Sequence, residues 1–162
     1  MISQSFKTIE IGGVSKAELI EDLKEVDVHF NEYAEVLLSS SYFEIDKNVS
    51  DKDLVKVSYM DLDLDKDATY NEIIASAKKT GLSLCPLCLG AFLRLEYLEQ
   101  PEGPYLTITS ELPNGDDNYP NGFYLRNYEG KLWLRGYRAD TDCSWPIESE
   151  FVFVRNMGEA DE

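Results

Sequence analysis

NGFYLRNYEGKLWLRGYR, Asn121 to Arg138, is the stretch that decides the fold of this chain. Two runs rich in Phe, Tyr, Leu and Trp flank Asn127-Tyr128-Glu129-Gly130, which predicts a β-hairpin. Gly130 can take the positive φ that closes a short loop with a bulge, which a β-branched residue cannot do cheaply. With Tyr128 to Gly130 as the loop, Leu125 lies opposite Trp133 and Phe123 opposite Arg135. One face then carries Phe123, Leu125, Trp133, Arg135 and Tyr137, and the other Tyr124, Arg126, Leu132 and Leu134. This reading buries Trp133 under helices and leaves Arg135, Tyr137, Arg138 and Trp145 at a rim. Cross-strand pairs of these types stabilise a sheet by about 0.2–1 kcal/mol each.

The sequence on either side of the hairpin reads as further strands. Tyr105 to Ser110 precedes it, after Gln100-Pro101, and Glu150 to Arg155 closes the sheet with Phe151 and Phe153 opposing Val152 and Val154. Turn-rich loops lie at Pro113–Asp117 and Pro120–Gly122, and a polar loop from Ala139 to Ile147 carries Trp145-Pro146. The first hundred residues are more helical. Phe6 to Ile11 alternates like a short strand. Ser15-Lys16-Ala17-Glu18 is a capping box that starts a helix over Lys16–Val26, with Ala17, Leu19, Ile20 and Leu23 inward. A second helix is expected over Asn31–Leu38, with Tyr33, Ala34, Val36, Leu37 and Leu38 as its buried face. Ser41–Ile45 reads as a strand or an extended link, Asp46–Asp53 as a surface loop, and Leu54–Tyr59 as a strand. Thr69-Tyr70-Asn71-Glu72 is a second capping box, for a helix over Tyr70–Thr80 with Gly81 in a left-handed C-cap. Pro86 is placed like a first-turn proline of a helix over Pro86–Leu98, although Leu93, Leu95 and Tyr97 also alternate like a strand. These elements predict one α+β domain over residues 1–157, with amino-terminal helices and short strands packed on a carboxy-terminal antiparallel sheet, and a flexible tail over 158–162.

Composition bounds the function. Of 162 residues, 31 are acidic and 15 basic, a formal net charge of -16. The excess runs along the whole chain. Such a field aids solubility, favours a basic partner and opposes direct contact with nucleic acid phosphates. The amino terminus has no apolar h-region. The uncharged run Thr80–Leu93 is too short, and too broken by Gly and Pro, to cross a bilayer core of ~30 Å. The expectation is a cytoplasmic protein away from membranes, with three free cysteines.

Three motifs could carry chemistry. Asp61, Asp63, Asp65 and Glu72 fall at the first, third, fifth and twelfth positions of an EF-hand loop. Lys66 stands where that loop needs Gly, so the stretch reads instead as the start of a capped helix, with no metal. Cys85-Pro86-Leu87-Cys88 lacks the second pair that a structural zinc site needs and reads as two structural thiols. His29 is the one histidine and flanks a helix; no nucleophile–base signature is present, and neither a catalytic residue nor a cofactor is expected. The remaining cluster is Trp133, Arg135, Tyr137, Arg138, Tyr119 and Trp145, residue types enriched in binding hot spots. Its bland alternative is a core Trp133 over which arginines lie, paired with Asp140, Asp142 or Glu150.

Several of these segments together resemble a family of small, acidic, uncharacterised bacterial proteins. The shared pattern is Leu84-Cys85-Pro86, then Leu93-Arg94-Leu95 and Tyr97, Gln100-Pro101, Leu132-Trp133-Leu134, Trp145 and Phe151-Val152-Phe153. The resemblance implies bacterial origin and a shared fold, and no activity. The expected function is therefore a non-enzymatic macromolecular binding protein, inhibitor-like or immunity-like, that meets a basic protein through Arg135, Tyr137, Arg138 and Trp145. The alternative is a small enzyme or ligand-binding domain with a pocket beside the 121–138 hairpin.

Overall fold

A computed structural model describes residues 5–64, 68–103, 105–110, 120–138, 145 and 148–155. Its elements in chain order are β1 (Lys7–Ile11), α1 (Lys16–Glu25), β2 (His29–Phe30), α2 (Glu32–Ser39), β3 (Ser50–Val57), a 3-10 turn (Met60–Leu62), α3 (Tyr70–Lys79), β4 (Leu82–Ser83), α4 (Leu89–Glu96), β5 (Leu106–Ile108), β6 (Gly122–Tyr128), β7 (Lys131–Tyr137) and β8 (Glu150–Arg155). Both capping boxes form: the Ser15 and Thr69 hydroxyls accept from the Glu18 and Glu72 amides, and those carboxylates accept in return. Asn31 caps α2 by accepting from the Ala34 amide at 2.8 Å. Gly81 follows α3 with φ 87°, as a left-handed cap requires. The other boundaries move. β3 starts at Ser50, inside the expected loop, Ser41–Ile45 forms no strand, and α4 starts three residues after Pro86.

The strands make one curled sheet in the order β1-β3-β8-β5-β6-β7-β2, with β4 also pairing β8. It is mixed, which corrects the antiparallel expectation: β5 runs parallel to β8, and β2 parallel to β7. The amino-terminal strands are part of the same sheet as the hairpin. β8 brings this about, pairing β3 on one side and β5 and β4 on the other.

The hairpin register differs from the expected one by one residue. Glu129 (φ 53°) and Gly130 (φ 81°) are both left-handed, which makes a two-residue turn with Tyr128 opposite Lys131. Leu125 therefore faces Leu134, Phe123 faces Gly136, and Arg126 faces Trp133. Because side chains alternate with period two, a slip of one residue sends every β7 side chain to the other face. The observed register places Leu134 and Gly136 inward beside Leu125 and Phe123. The expected one would have driven the Arg135 charge into that layer, at a large desolvation cost.

Helices cover both faces of the sheet. On one face α1, α2 and α4 bury Leu19, Leu23, Leu37, Leu89 and Leu93 against Leu54, Leu106, Ile108, Phe123, Leu125, Leu134 and Val152. On the other, α3 and the 3-10 turn bury Ile73, Ala77 and Leu62 against Val55, Val57, Phe151 and Phe153. This second layer sits over β3 and β8. Over β6, β7 and β2 none of the described helices supplies such a layer on the same face, where Tyr124, Arg126, Trp133 and Arg135 are half-buried.

Candidate binding interface

The slip in register decides where the expected binding residues lie. Trp133 and Arg135 point away from α2 and α4, onto the β6–β7–β2 half of the second face. Trp133 is half-buried there, not enclosed under helices as expected. The Arg135 guanidinium lies 4.1 Å from its ring centroid, and an Arg135 Nη donates to the Tyr124 hydroxyl at 3.5 Å. Tyr137 is no rim residue. Its side chain is buried, and its hydroxyl lies 2.7 Å from that of Tyr70 and donates to the Ile108 carbonyl at 3.1 Å. Trp145 is half-buried. Its ring packs on Tyr70, Tyr137 and Phe151, at centroid distances of 6.0, 5.8 and 5.5 Å. The physical reason is the curl of the sheet, which brings the end of β7 under α3. Arg138 is exposed just beyond β7, and Tyr119, Asp140, Asp142 and Cys143 lie outside the described residues.

The structure adds residues that the sequence reading did not place. Tyr105 and Tyr124 stack at 5.0 Å, with 25° between their planes. Arg126 lies between Tyr105 and Tyr128, 4.5 and 4.3 Å from the two centroids. His29, brought beside Trp133 by the parallel β2–β7 pair, packs on its ring at 5.1 Å. The result is a continuous ladder of rings and guanidiniums across four strands. The turn dipeptide Glu129-Gly130 was the signal that could have revealed it, since a two-residue loop alone puts Arg126 opposite Trp133.

Arg94 is the other arginine of note. It is fully buried on α4, and among the described residues no carboxylate lies within ion-pair distance of it. One Nη donates to Gln100 Oε1 (2.7 Å) and the Trp133 carbonyl (3.2 Å), and the other to the Tyr97 carbonyl. Gln100 Nε2 then donates to the Leu125 carbonyl at 3.2 Å, and Asn127 Nδ2 to the Gln100 carbonyl at 2.8 Å. Burial pulls the Arg94 pKa down to about 10, so it stays charged at neutral pH. It ties the end of α4 to β6 and β7, on the far side of the sheet from the ladder.

Cys85 and Cys88 are buried free thiols. Burial raises the pKa of both, that of Cys88 to about 11. Glu72 serves as a cap, and Asp61 accepts from the Ser58 amide at 3.0 Å. Among the described residues no three metal-ligating side chains come together. A cleft of about 150 Å³ beside the Gln100–Gly103 turn is lined by Lys56, Tyr97 and Glu150; that is below the usual size of a ligand site, roughly 300–1,000 Å³. A larger, open cleft of about 770 Å³ lies away from the hairpin, between Gly12, Glu44–Asn48, Lys52 and Cys88.

Burial raises Tyr70 to about 12 and Tyr137 well above the usual tyrosine value. Together with the two thiols, these groups make stability pH-dependent. In the unfolded chain they lose protons near the ordinary 9–10; in the folded chain they hold them longer. Stability should be complete below about pH 9 and fall as pH rises toward 12, because the unfolded state then binds fewer protons. Urea midpoints between pH 8 and 11 should decline, and less steeply in Cys88→Ser. A flat profile would show that these groups ionise as freely in the folded protein.

The outer surface of α1 and α2 is the opposite of the ladder in charge. Glu18, Glu21, Asp22, Glu25, Asp27, Glu32 and Glu35 are all exposed there, with Lys24 the one lysine between them. Val26, Tyr33 and Val36 are exposed in the same segment, at 39%, 43% and 39%, which corrects the buried face expected for α2: only Ala34, Leu37 and Leu38 turn inward, and on α1 Ala17 is likewise exposed. Among the described residues, none of the seven carboxylates is in an ion pair.

No described helix is long and apolar enough to cross a membrane. Comparison of the chain with protein-family models, with curated proteins and with solved structures finds no match in any of the three, so the resemblance noted above rests on its short motifs alone.

Proposed function

We propose that this is a non-enzymatic binding protein, of the inhibitor-like or immunity-like kind, whose partner is a basic protein. The observation that carries the reading is the α1–α2 surface. Seven exposed carboxylates, none in an ion pair among the described residues, share the segment from 18 to 36 with three exposed apolar side chains, in a chain of net charge -16. Like charges this dense cost stability through mutual repulsion, and a cationic surface relieves that cost on docking. The field steers encounter, and Val26, Tyr33 and Val36 supply the apolar contact that charge alone does not. The hairpin residues Arg135 and Arg138 then lie outside the main contact, and Tyr137 and Trp145 support it only through the core.

The test is isolation of the partner from the native host, followed by affinity measurement with purified components. The partner should be a basic protein, and its affinity should fall steeply with salt. Combined Glu21→Lys, Glu25→Lys and Glu32→Lys substitutions should weaken it by about tenfold or more. An acidic partner, or one that binds the charge-reversed protein equally well, would overturn the reading.

A further inference from the structure

The β6–β7–β2 half of the second sheet face has a charge pattern unlike the rest of the molecule. Its outward positions on β6 and β7 carry Arg126, Lys131 and Arg135; β2 adds His29, and the remaining outward positions, Tyr105 among them, hold no carboxylate. This occurs in a chain where 31 of 162 residues are acidic. Arg126 and Arg135 are diagonal neighbours across the β6–β7 pair, Arg126 facing Trp133 and Arg135 facing Tyr124. Such positions sit about 7–8 Å apart. Each guanidinium is held flat on aromatic rings, and neither has a carboxylate within ion-pair distance among the described residues. Arg135 Nε and Trp133 Nε1 also have no hydrogen-bond partner there.

We infer that this face is a second binding site, distinct from the α1–α2 surface, and that its occupant is an acidic peptide segment of a protein. A planar guanidinium already immobilised on a ring loses little entropy when it pairs with a carboxylate, and its fork matches the two carboxylate oxygens. Two such forks, spaced as diagonal neighbours, suit two acidic side chains on one extended segment better than one isolated anion. Both arginines are half-buried, so a segment that spans the two makes more contact than a small anion does. A peptide adds contact with the exposed Tyr105 and Tyr128 rings, which are 43% and 44% accessible. Single-stranded nucleic acid fits less well. The guanidiniums already occupy the ring faces that bases would stack on.

The probe is a fluorescently labelled peptide alternating Glu with Leu and Gly, titrated against the whole protein and followed by anisotropy. The peptide should bind, and a matched peptide with Gln for Glu should not. Arg126→Gln with Arg135→Gln should weaken binding by about tenfold or more, the loss expected for charge-assisted hydrogen bonds. Arg135→Lys keeps the charge but not the fork and should weaken it by a smaller factor. Both arginines are half-buried and belong to neither core cluster, so the melting temperature of each variant, measured beside that of the parent, serves as the folding control. No binding to the parent protein, equal binding to the double variant, or displacement of the peptide by an oligo-dT strand would each overturn the inference. The charge-reversed α1–α2 variant should bind the peptide at least as well as the parent, which separates this site from the basic-partner surface.

Discussion

Arg94→Met should destabilise the protein by about 3–5 kcal/mol, because it strands three buried acceptors at once. Met fills nearly the same length but donates nothing. The Tyr97 carbonyl at the end of α4, the Trp133 carbonyl and Gln100 Oε1 would all lose their guanidinium donor. Each buried acceptor left unpaired costs about 1–3 kcal/mol, offset in part because the cation no longer has to be desolvated. Against a usual net stability of about 5–15 kcal/mol this is a large fraction. Urea unfolding should show a lower midpoint with an unchanged slope. Arg94→Lys should lose less, since it retains the charge, but one ammonium cannot reach all three oxygens that the fork spans. A parental midpoint in Arg94→Met would refute the clamp.

Gly136→Ala should be nearly as damaging, for a steric reason. A Cβ at this position would lie 2.7 Å from the Tyr33 carbonyl carbon and Cβ, and 2.9 Å from the Ala34 nitrogen. These are mostly backbone atoms of α2, so no side chain can swing aside. The helix cannot retreat freely either. Asn31 Oδ1 accepts from the Gly136 amide at 2.9 Å and from the Ala34 amide at 2.8 Å, while its Nδ2 donates to the Gly136 carbonyl at 3.2 Å. The Asn31 side chain thus continues the pairing that His29 and Phe30 begin with β7, and caps α2 in the same act. Overpacking costs about 1–3 kcal/mol and a lost N-cap about 0.5–2, so the expected total is roughly 2–4 kcal/mol. Asn31→Ala alone should cost the cap and the two hydrogen bonds to the Gly136 backbone. Because both changes act through one contact, the double variant should fall short of the sum. Strict additivity in thermal or urea unfolding would show that the two are not coupled.

Much of the local structure was legible before any tertiary contact was known. Ser15 with Glu18 and Thr69 with Glu72 announce two helix starts, because the orphan amides of a first turn need those oxygens at that spacing. Asn31 marks a third helix, Gly81 marks a helix end, and Glu150–Arg155 is a strand with the bounds its alternation implies. The same reading found the residue types of the ladder but not the ladder. It placed Tyr137 and Trp145 with Arg135 because they are close in sequence, put Tyr124 on the opposite hairpin face through the one-residue slip, and did not join Tyr105 or His29 to them because they are distant in the chain. The role of Arg94 depends on carbonyls from β7 and from its own C-terminal turn.

The sequence by itself determined that the chain has capped helices, a Gly-closed hairpin and a strongly acidic surface, since each depends on groups a few residues apart or on composition. Only the tertiary structure decided that β8 inserts between β3 and β5, that the sheet is mixed, and which face of β7 meets α2. The last of these turns on the register of one two-residue turn, in which Glu129 adopts a left-handed backbone that its residue type does not favour. The local cost of that turn is offset by keeping the Arg135 charge out of the helix-covered layer and by seating Gly136 under Asn31, contacts between residues about a hundred positions apart in the chain.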